Sequence, residues 1–156
     1  MSKNILIPLD GSELGETALA YVEELVAKFA VDETVNVTLF HVITVIRHQI
    51  RLRGGMAMSI PYTDAELTQM KVEAMDYLDK IGKKIENDKI SVNCKVEIGE
   101  NPAKKIIQIE QEVGADLVAM STHGRSGYSR FMIGSISEKV MRGGTVPVLM
   151  VRAREE

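Results

Sequence analysis

Two stretches of the chain carry side chains suited to holding an oxygen-rich ligand. Asp10-Gly11-Ser12 places a carboxylate and a hydroxyl around a glycine, directly after the apolar run Ile5 to Leu9. A carboxylate there can accept from a ribose hydroxyl or an adenine amine, or help hold a metal. An Asp in that position also forms turns and caps helices, and position alone does not separate these roles. The second stretch runs from Ser121 to Gly134-Ser135. It holds Arg125, Arg130 and His123, three glycines (Gly124, Gly127, Gly134) and hydroxyls at Ser121, Thr122, Ser126, Ser129 and Ser135. No Asp or Glu occurs from Leu117 through Ser137, although the chain has 22 acidic residues against 19 Lys plus Arg. Glycines let backbone N–H groups curl around an anion. A helix start at Ser135 adds unpaired N–H groups and the positive end of a macrodipole. Together these are the parts of a phosphate cradle; the plainer alternative is a flexible Gly/Ser loop ahead of an ordinary capped helix.

Other constellations are weaker. The Walker pattern G-x-x-x-x-G-K-[ST] is absent, and Gly124-Arg125-Ser126-Gly127 lacks the first glycine of a dinucleotide fingerprint. Ser12, His41, His123 and Asp10 can be arranged on paper as a triad, but no G-x-S-x-G elbow accompanies them. His41, at a strand end, reads as a structural histidine. Three dispersed histidines make a poor zinc site. Cys94 is the one cysteine, which excludes an internal disulfide, and it reads as a small buried residue in an alternating run. Arg47, Arg51 and Arg53 are read as solvated, with phosphate or partner contact as the alternative.

The elements that must position these residues follow from hydrophobic period. Ile5 to Leu9 is an apolar run of the kind found in a strand covered on both faces. Leu14, Ala18, Tyr21 or Val22, Leu25 and Phe29 then mark a helix face, with Ser12 as its expected N-cap. Val35 to Thr44 reads as a second strand, and Val45 to Tyr62 as a long loop with a short helical piece. Thr63 and Glu66 have capping-box spacing ahead of a long helix whose buried stripe is Leu67, Met70, Ala74, Leu78, Ile81 and Ile85. Ile90 to Ile98 is a third strand. Asn101-Pro102 opens a helix as N-cap and N1. Ala115 to Met120 is a fourth strand. Ser135 to Glu138 is a second expected capping box, and Val146 to Val151 a fifth strand. Strands alternating with helices predict an α/β fold: an open parallel sheet with helices on both faces. Ligands of such sheets sit beyond the carboxyl ends of the strands, where the winding reverses.

Composition sets the outer bounds. The 156 residues are 45% hydrophobic and 26% charged, with net charge -3 and no Trp. That predicts a single domain spanning residues 1–156 with a core of its own. An acidic, weakly aromatic chain argues against nucleic acid as partner. With no signal-peptide organisation and no long apolar run, the expected location is cytoplasmic, without membrane insertion.

These residues together resemble the universal stress protein family along essentially the whole chain. The likeness lies in Ile5-Leu6-Ile7-Pro8-Leu9-Asp10-Gly11-Ser12, Leu39-Phe40-His41-Val42 and Ala115-Asp116-Leu117-Val118. It continues through Thr122-His123-Gly124-Arg125-Ser126-Gly127 to Gly134-Ser135 and closes with Val146-Pro147-Val148-Leu149-Met150-Val151. The resemblance implies a Rossmann-like sheet, adenine nucleotide alpha hydrolase-like, of strand order 3-2-1-4-5. It also implies a homodimer joined through residues 146–151. The family's ATP-binding signature is matched by Gly124, nine residues, Gly134 and Ser135, whereas Ser121 stands where that signature has its first glycine. By the same resemblance Asp10 faces the nucleoside, Val42 meets adenine through its backbone, and Pro8 lines that pocket. Met120 and Ser121 lie near the ribose, and Gly124, Gly134, Ser135 and Ile136 surround the phosphates, with Arg125 and Gly127 in the same loop.

The resulting expectation is an ATP-binding (or AMP- or ADP-binding) dimeric stress-response module, with Mg²⁺ as a candidate companion, no catalytic residue and an unknown protein partner. The alternatives are a slow ATP hydrolase or phosphotransferase using the same pocket, and a nucleotide-free interaction protein.

Overall fold

The computed structural model describes residues 3–30, 32–44, 48–122 and 134–152. Apolar runs become the strands β1 (Lys3–Pro8), β2 (Val35–Thr44), β5 (Ile90–Gly99), β6 (Leu117–Thr122) and β7 (Val148–Arg152). They form one parallel sheet of order β5-β2-β1-β6-β7. Counted within the sheet alone, that is the expected 3-2-1-4-5. Between them run α1 (Thr17–Phe29), α2 (Asp64–Ile85), α3 (Pro102–Glu112) and α4 (Ser135–Gly143).

Because side chains alternate across a strand, β1, β2, β6 and β7 each feed two cores, whereas β5 feeds one. Ile5, Ile7, Val37 and Leu39 pack with Leu19, Val22 and Val26 of α1 and with Leu78, Ile81 and Ile85 of α2. On the opposite face Leu6, Phe40, Val118 and Met120 pack with Ile106 and Ile109 of α3 and Val140 of α4. Each such side chain contributes about 1.5–3 kcal/mol relative to exposure.

The expected helix starts at positions 63 and 101 form as read. Glu66 N–H donates to Thr63 Oγ1 at 3.2 Å while Thr63 N–H donates to Glu66 Oε2 at 2.7 Å. Lys104 N–H donates to Asn101 Oδ1 at 3.1 Å, and Pro102 opens α3.

Four expectations need correction. First, Val45 to Tyr62 is not simply a loop: β3 (His48–Arg51) and β4 (Ala57–Ile60) pair antiparallel as a separate two-stranded sheet. Gly54 and Gly55 make the turn at φ +107° and +83°, where a side chain would be strained. The apolar residues alternate here with period two, a signal that the arginines and the glycine pair obscured. Second, Ser12 does not begin α1. Its Oγ accepts from Gly15 N–H at 3.0 Å in a preceding turn, and the helix starts at Thr17. Third, no capping box forms at α4: its N-cap is Gly134 and no side chain caps it. Glu138 instead pairs with Arg142, one turn on. Fourth, only the lower part of the α2 stripe, Leu78, Ile81 and Ile85, is core; Met70 and Ala74 face a cavity.

Phe40 is fully buried in the middle of this sheet. Phe40→Ala should cost about 3–5 kcal/mol, read as a shift of the urea midpoint. A loss under about 1 kcal/mol would contradict this packing.

Candidate functional site

Strand β1 stops at Pro8, which pairs with Phe40, while β2 continues to Thr44 with its other edge still bonded to β5. Leu9 N–H donates to the Phe40 carbonyl at 2.8 Å, so the Phe40 carbonyl points toward β1. In a strand, residue 42 then points its N–H and C=O the same way. At Val42 the ladder toward β1 has already ended. A backbone donor and acceptor therefore face a gap at the carboxyl end of the sheet.

That gap opens into a cavity of about 620 Å³. The sheet supplies Pro8, Val42 and Met120 to its wall, and α2 supplies Met70, Ala74 and Tyr77. Asp10 and Ser121 lie on it from the loop after β1 and the end of β6, and Ile136 and Ser137 from the first turn of α4. The structure thus brings Pro8, Asp10, Val42, Met120, Ser121 and Ile136 to one cavity. Gly134 and Ser135 stand at the start of the same α4 turn. Gly124, Arg125 and Gly127, with His123, lie outside the described residues.

The loop after β1 is held tightly. Asp10 Oδ1 accepts from Ser12 N–H at 2.9 Å and from Ser12 Oγ–H at 2.5 Å. The turn reading of Asp10 is therefore realised, and its carboxylate still lines the cavity. A Cβ on Gly15 would stand 2.7 Å from that same Oδ1, so a larger residue at position 15 would push the Asp10 carboxylate from its place. His41 Nδ1 lies 2.7 Å from the Leu9 carbonyl oxygen and donates to it, which is the structural role expected of it.

Ser121 has a use that its position did not disclose. Its Oγ accepts from Ala18 N–H at 2.9 Å and donates to the Gly15 carbonyl at 3.0 Å. Helix α1 begins at Thr17 without a cap from its own N-cap residue, Glu16. The hydroxyl of Ser121, more than a hundred residues away, caps that first turn across the cavity floor.

The α2 wall was missed by sequence reasoning, because an amphipathic stripe does not say where the core ends. Tyr77 donates to Glu16 Oε1 at 3.0 Å and so ties α2 to the start of α1. Burial, then this bond and the nearby charge of Asp10, raise the Tyr77 phenol well above its ordinary value, so it remains a donor at neutral pH. At the other end of the cavity, α4 presents its first-turn N–H groups with no side-chain cap, a place suited to an anion. Among the described residues no group of three or more His, Cys, Asp or Glu is placed to hold a metal.

Cys94 is remote from this cavity and packs against the core. Burial first, then its bond to Asp79, push its thiol up to about 11. At pH 8 only about 0.1% is then thiolate. Its reaction with a disulfide reagent should be about 100-fold or more slower in the folded protein than in urea. Equal rates would contradict the burial.

Ser121→Ala should destabilise the protein by about 1–3 kcal/mol, because a helix N–H and a carbonyl both lose their partner. Ser121→Thr, which keeps the hydroxyl, should recover most of the loss in urea unfolding. A Ser121→Ala variant as stable as the parent would rule out the cap.

Among described residues no helix is long and apolar enough to cross a membrane. The protein is 29% identical to the universal stress protein MJ0577 of Methanocaldococcus jannaschii, over 99% of this chain and 97% of that one. The solved structure of MJ0577 has a TM-score of 0.72 at 25% identity, covering 99% of this chain and 98% of its own. A universal stress protein family protein from Arabidopsis thaliana with AMP bound has a TM-score of 0.63 at 14% identity, covering 97% and 92%. A universal stress protein in complex with cAMP has a TM-score of 0.59 at 17% identity, covering 97% and 98%. At those identities the last two speak to the fold. The universal stress protein family itself matches residues 1–152, and the chain belongs to that family.

Proposed function

We propose that this protein binds an adenine nucleotide, ATP in the first place with AMP or ADP as alternatives, and works as a dimeric stress-response module. The observation that carries the reading is the gap where β1 ends, which sets an outward-facing backbone donor and acceptor at Val42 beside the Asp10 carboxylate and the uncapped start of α4. An adenine needs a donor and an acceptor on one edge, which a strand backbone supplies. Pro8, Met120 and the apolar side chains of α2 would enclose the base. Asp10 would accept from ribose hydroxyls, with Ser121 holding the floor beneath. The α4 start, Gly134, Ser135 and Ile136, would receive the phosphates together with Gly124, Arg125 and Gly127 of the preceding loop. Mg²⁺ would ride on the phosphates. The family relatives with AMP and with cAMP support the ligand class.

β7 lies at the edge of the sheet, with Val148, Leu149 and Met150 only half-buried. An apolar edge strand is a hazard that pairing with a second copy removes, which supports a homodimer joined through residues 146–151. In this reading the module requires no catalytic residue, because occupancy of the pocket is itself the signal.

Calorimetric titration with ATP, ADP and AMP should give a saturable heat at one site per chain. Asp10→Ala should weaken it about 10-fold or more, since a bond to a charged acceptor contributes about 1.5–3 kcal/mol. No heat and no thermal shift with any of the three would end the nucleotide reading.

A further inference from the structure

Two surface features play no part in the nucleotide reading, and they lie at opposite ends of the sheet. The first is the β3–β4 hairpin. Strand alternation and the register Ile50↔Met58 put Ile50, Leu52, Met56 and Met58 on one face. All four are exposed, Met56 to 73%. They are four of the nine exposed large hydrophobics among the described residues. No Asp or Glu occurs from Val45 through Tyr62, whereas Arg51 and Arg53 flank the apolar tip. A lone two-stranded hairpin is marginal in water, and an apolar face of this kind is a candidate contact surface.

The second feature is a groove of about 810 Å³ at the amino ends of β1, β2 and β6. Its walls include Leu25, Ala30 and Phe29, the last 76% exposed. Its acidic residues are Asp32, Glu33 and Asp116, set against a single base, Lys3. The hairpin is apolar and cationic; the groove is apolar and mainly anionic.

The hairpin of one chain does not reach its own groove. It leaves β2 at Thr44, and Leu52 is eight residues further on, a reach of at most about 29 Å even if the chain ran fully extended straight back along β2. The groove begins beside Val35, at the far end of β2, roughly 30 Å away over nine strand rises.

We propose that the hairpin of one copy of this protein seats tip first in the groove of a second copy. Leu52 and Met56 enter beside Phe29, and Arg51 and Arg53 meet Asp32, Glu33 and Asp116 at the rim. The two patches differ, so the contact is heterologous and each copy keeps one unused hairpin or groove. It therefore adds copies head to tail, independently of an edge pairing through β7. One arm is small against the roughly 800 Å² per partner of a standard interface. The association is correspondingly weak and concentration-dependent.

Sedimentation velocity of the full chain across a concentration series tests this. The parent should shift to larger species as concentration rises. A hairpin variant, Met56→Asp with Met58→Asp, and a groove variant, Phe29→Asp, should each weaken that step at least tenfold. All three positions are exposed, and circular dichroism confirms that the variants fold. The decisive arm mixes the two variants. The intact groove of the first accepts the intact hairpin of the second, so the mixture should regain one contact per pair and stop there. A parent without concentration dependence, variants that associate like the parent, or a mixture that stays apart would each overturn the proposal. So would a hairpin variant that loses only flotation with vesicles containing phosphatidylserine, because the hairpin would then serve a membrane. A failed nucleotide titration leaves this result unaffected, so the two readings fail separately.

Discussion

The organisation of the candidate site rests on one mismatch of strand lengths. β1 ends at Pro8, while β2 runs on to Thr44 and β6 to Thr122. A central strand that stops before its neighbours leaves a notch whose edges are backbone amides and carbonyls. Water satisfies such groups in an empty notch, and a ligand with donors and acceptors along one edge can replace it. The loop after β1 and the end of β6, one on each side of the winding reversal, converge on the notch. Helix α4 starts at its far side. The depth of the notch and its backbone polarity both follow from where β1 stops.

A notch of this kind needs its rims fixed, and the bonds that fix them come from distant parts of the chain. Ser121 joins the end of β6 to the start of α1. Tyr77 joins α2 to Glu16, one residue before α1. His41 fastens β2 to Leu9. Each contributes about 0.5–1.5 kcal/mol net, and all three act on the segment Leu9 to Ala18 that carries Asp10. Serine at position 121 is therefore more than a small residue standing where the family signature has glycine. Its hydroxyl takes over the cap that Glu16 does not supply. Both hydrogen bonds of that hydroxyl go to protein, so it serves as part of the floor.

Most of the architecture was legible in the sequence because the period-two and period-3.6 patterns were clean. Thr63, Glu66, Asn101 and Pro102 announced two helix starts, and both formed. The mistakes share a cause, which is that spacing carries no depth. Ser135 to Glu138 has capping-box spacing, but the helix begins one residue early for it, with Gly134 as cap. Met70 and Ala74 continue the stripe of Leu78 and Ile81, yet the sheet beneath them has ended and they overhang the cavity. Arg51, Arg53 and the glycine pair disguised an alternating hairpin as a loop. The roles of Asp10 and Val42 became arguable once the ladder showed where β1 lets go of β2. The long-range bonds of Ser121 and Tyr77 had no signal in the sequence at all, since nothing local relates them to residues 15–18.

The central claim is that this notch, and no other surface, receives an adenine nucleotide. Amide chemical shifts followed while AMP and then ATP are added to the ¹⁵N-labelled protein test it most directly. The largest changes should fall on Asp10, Val42, Ser121 and Ile136, with the α4 start responding more to ATP than to AMP. Shifts confined to other surfaces, or none at millimolar nucleotide, would contradict the account.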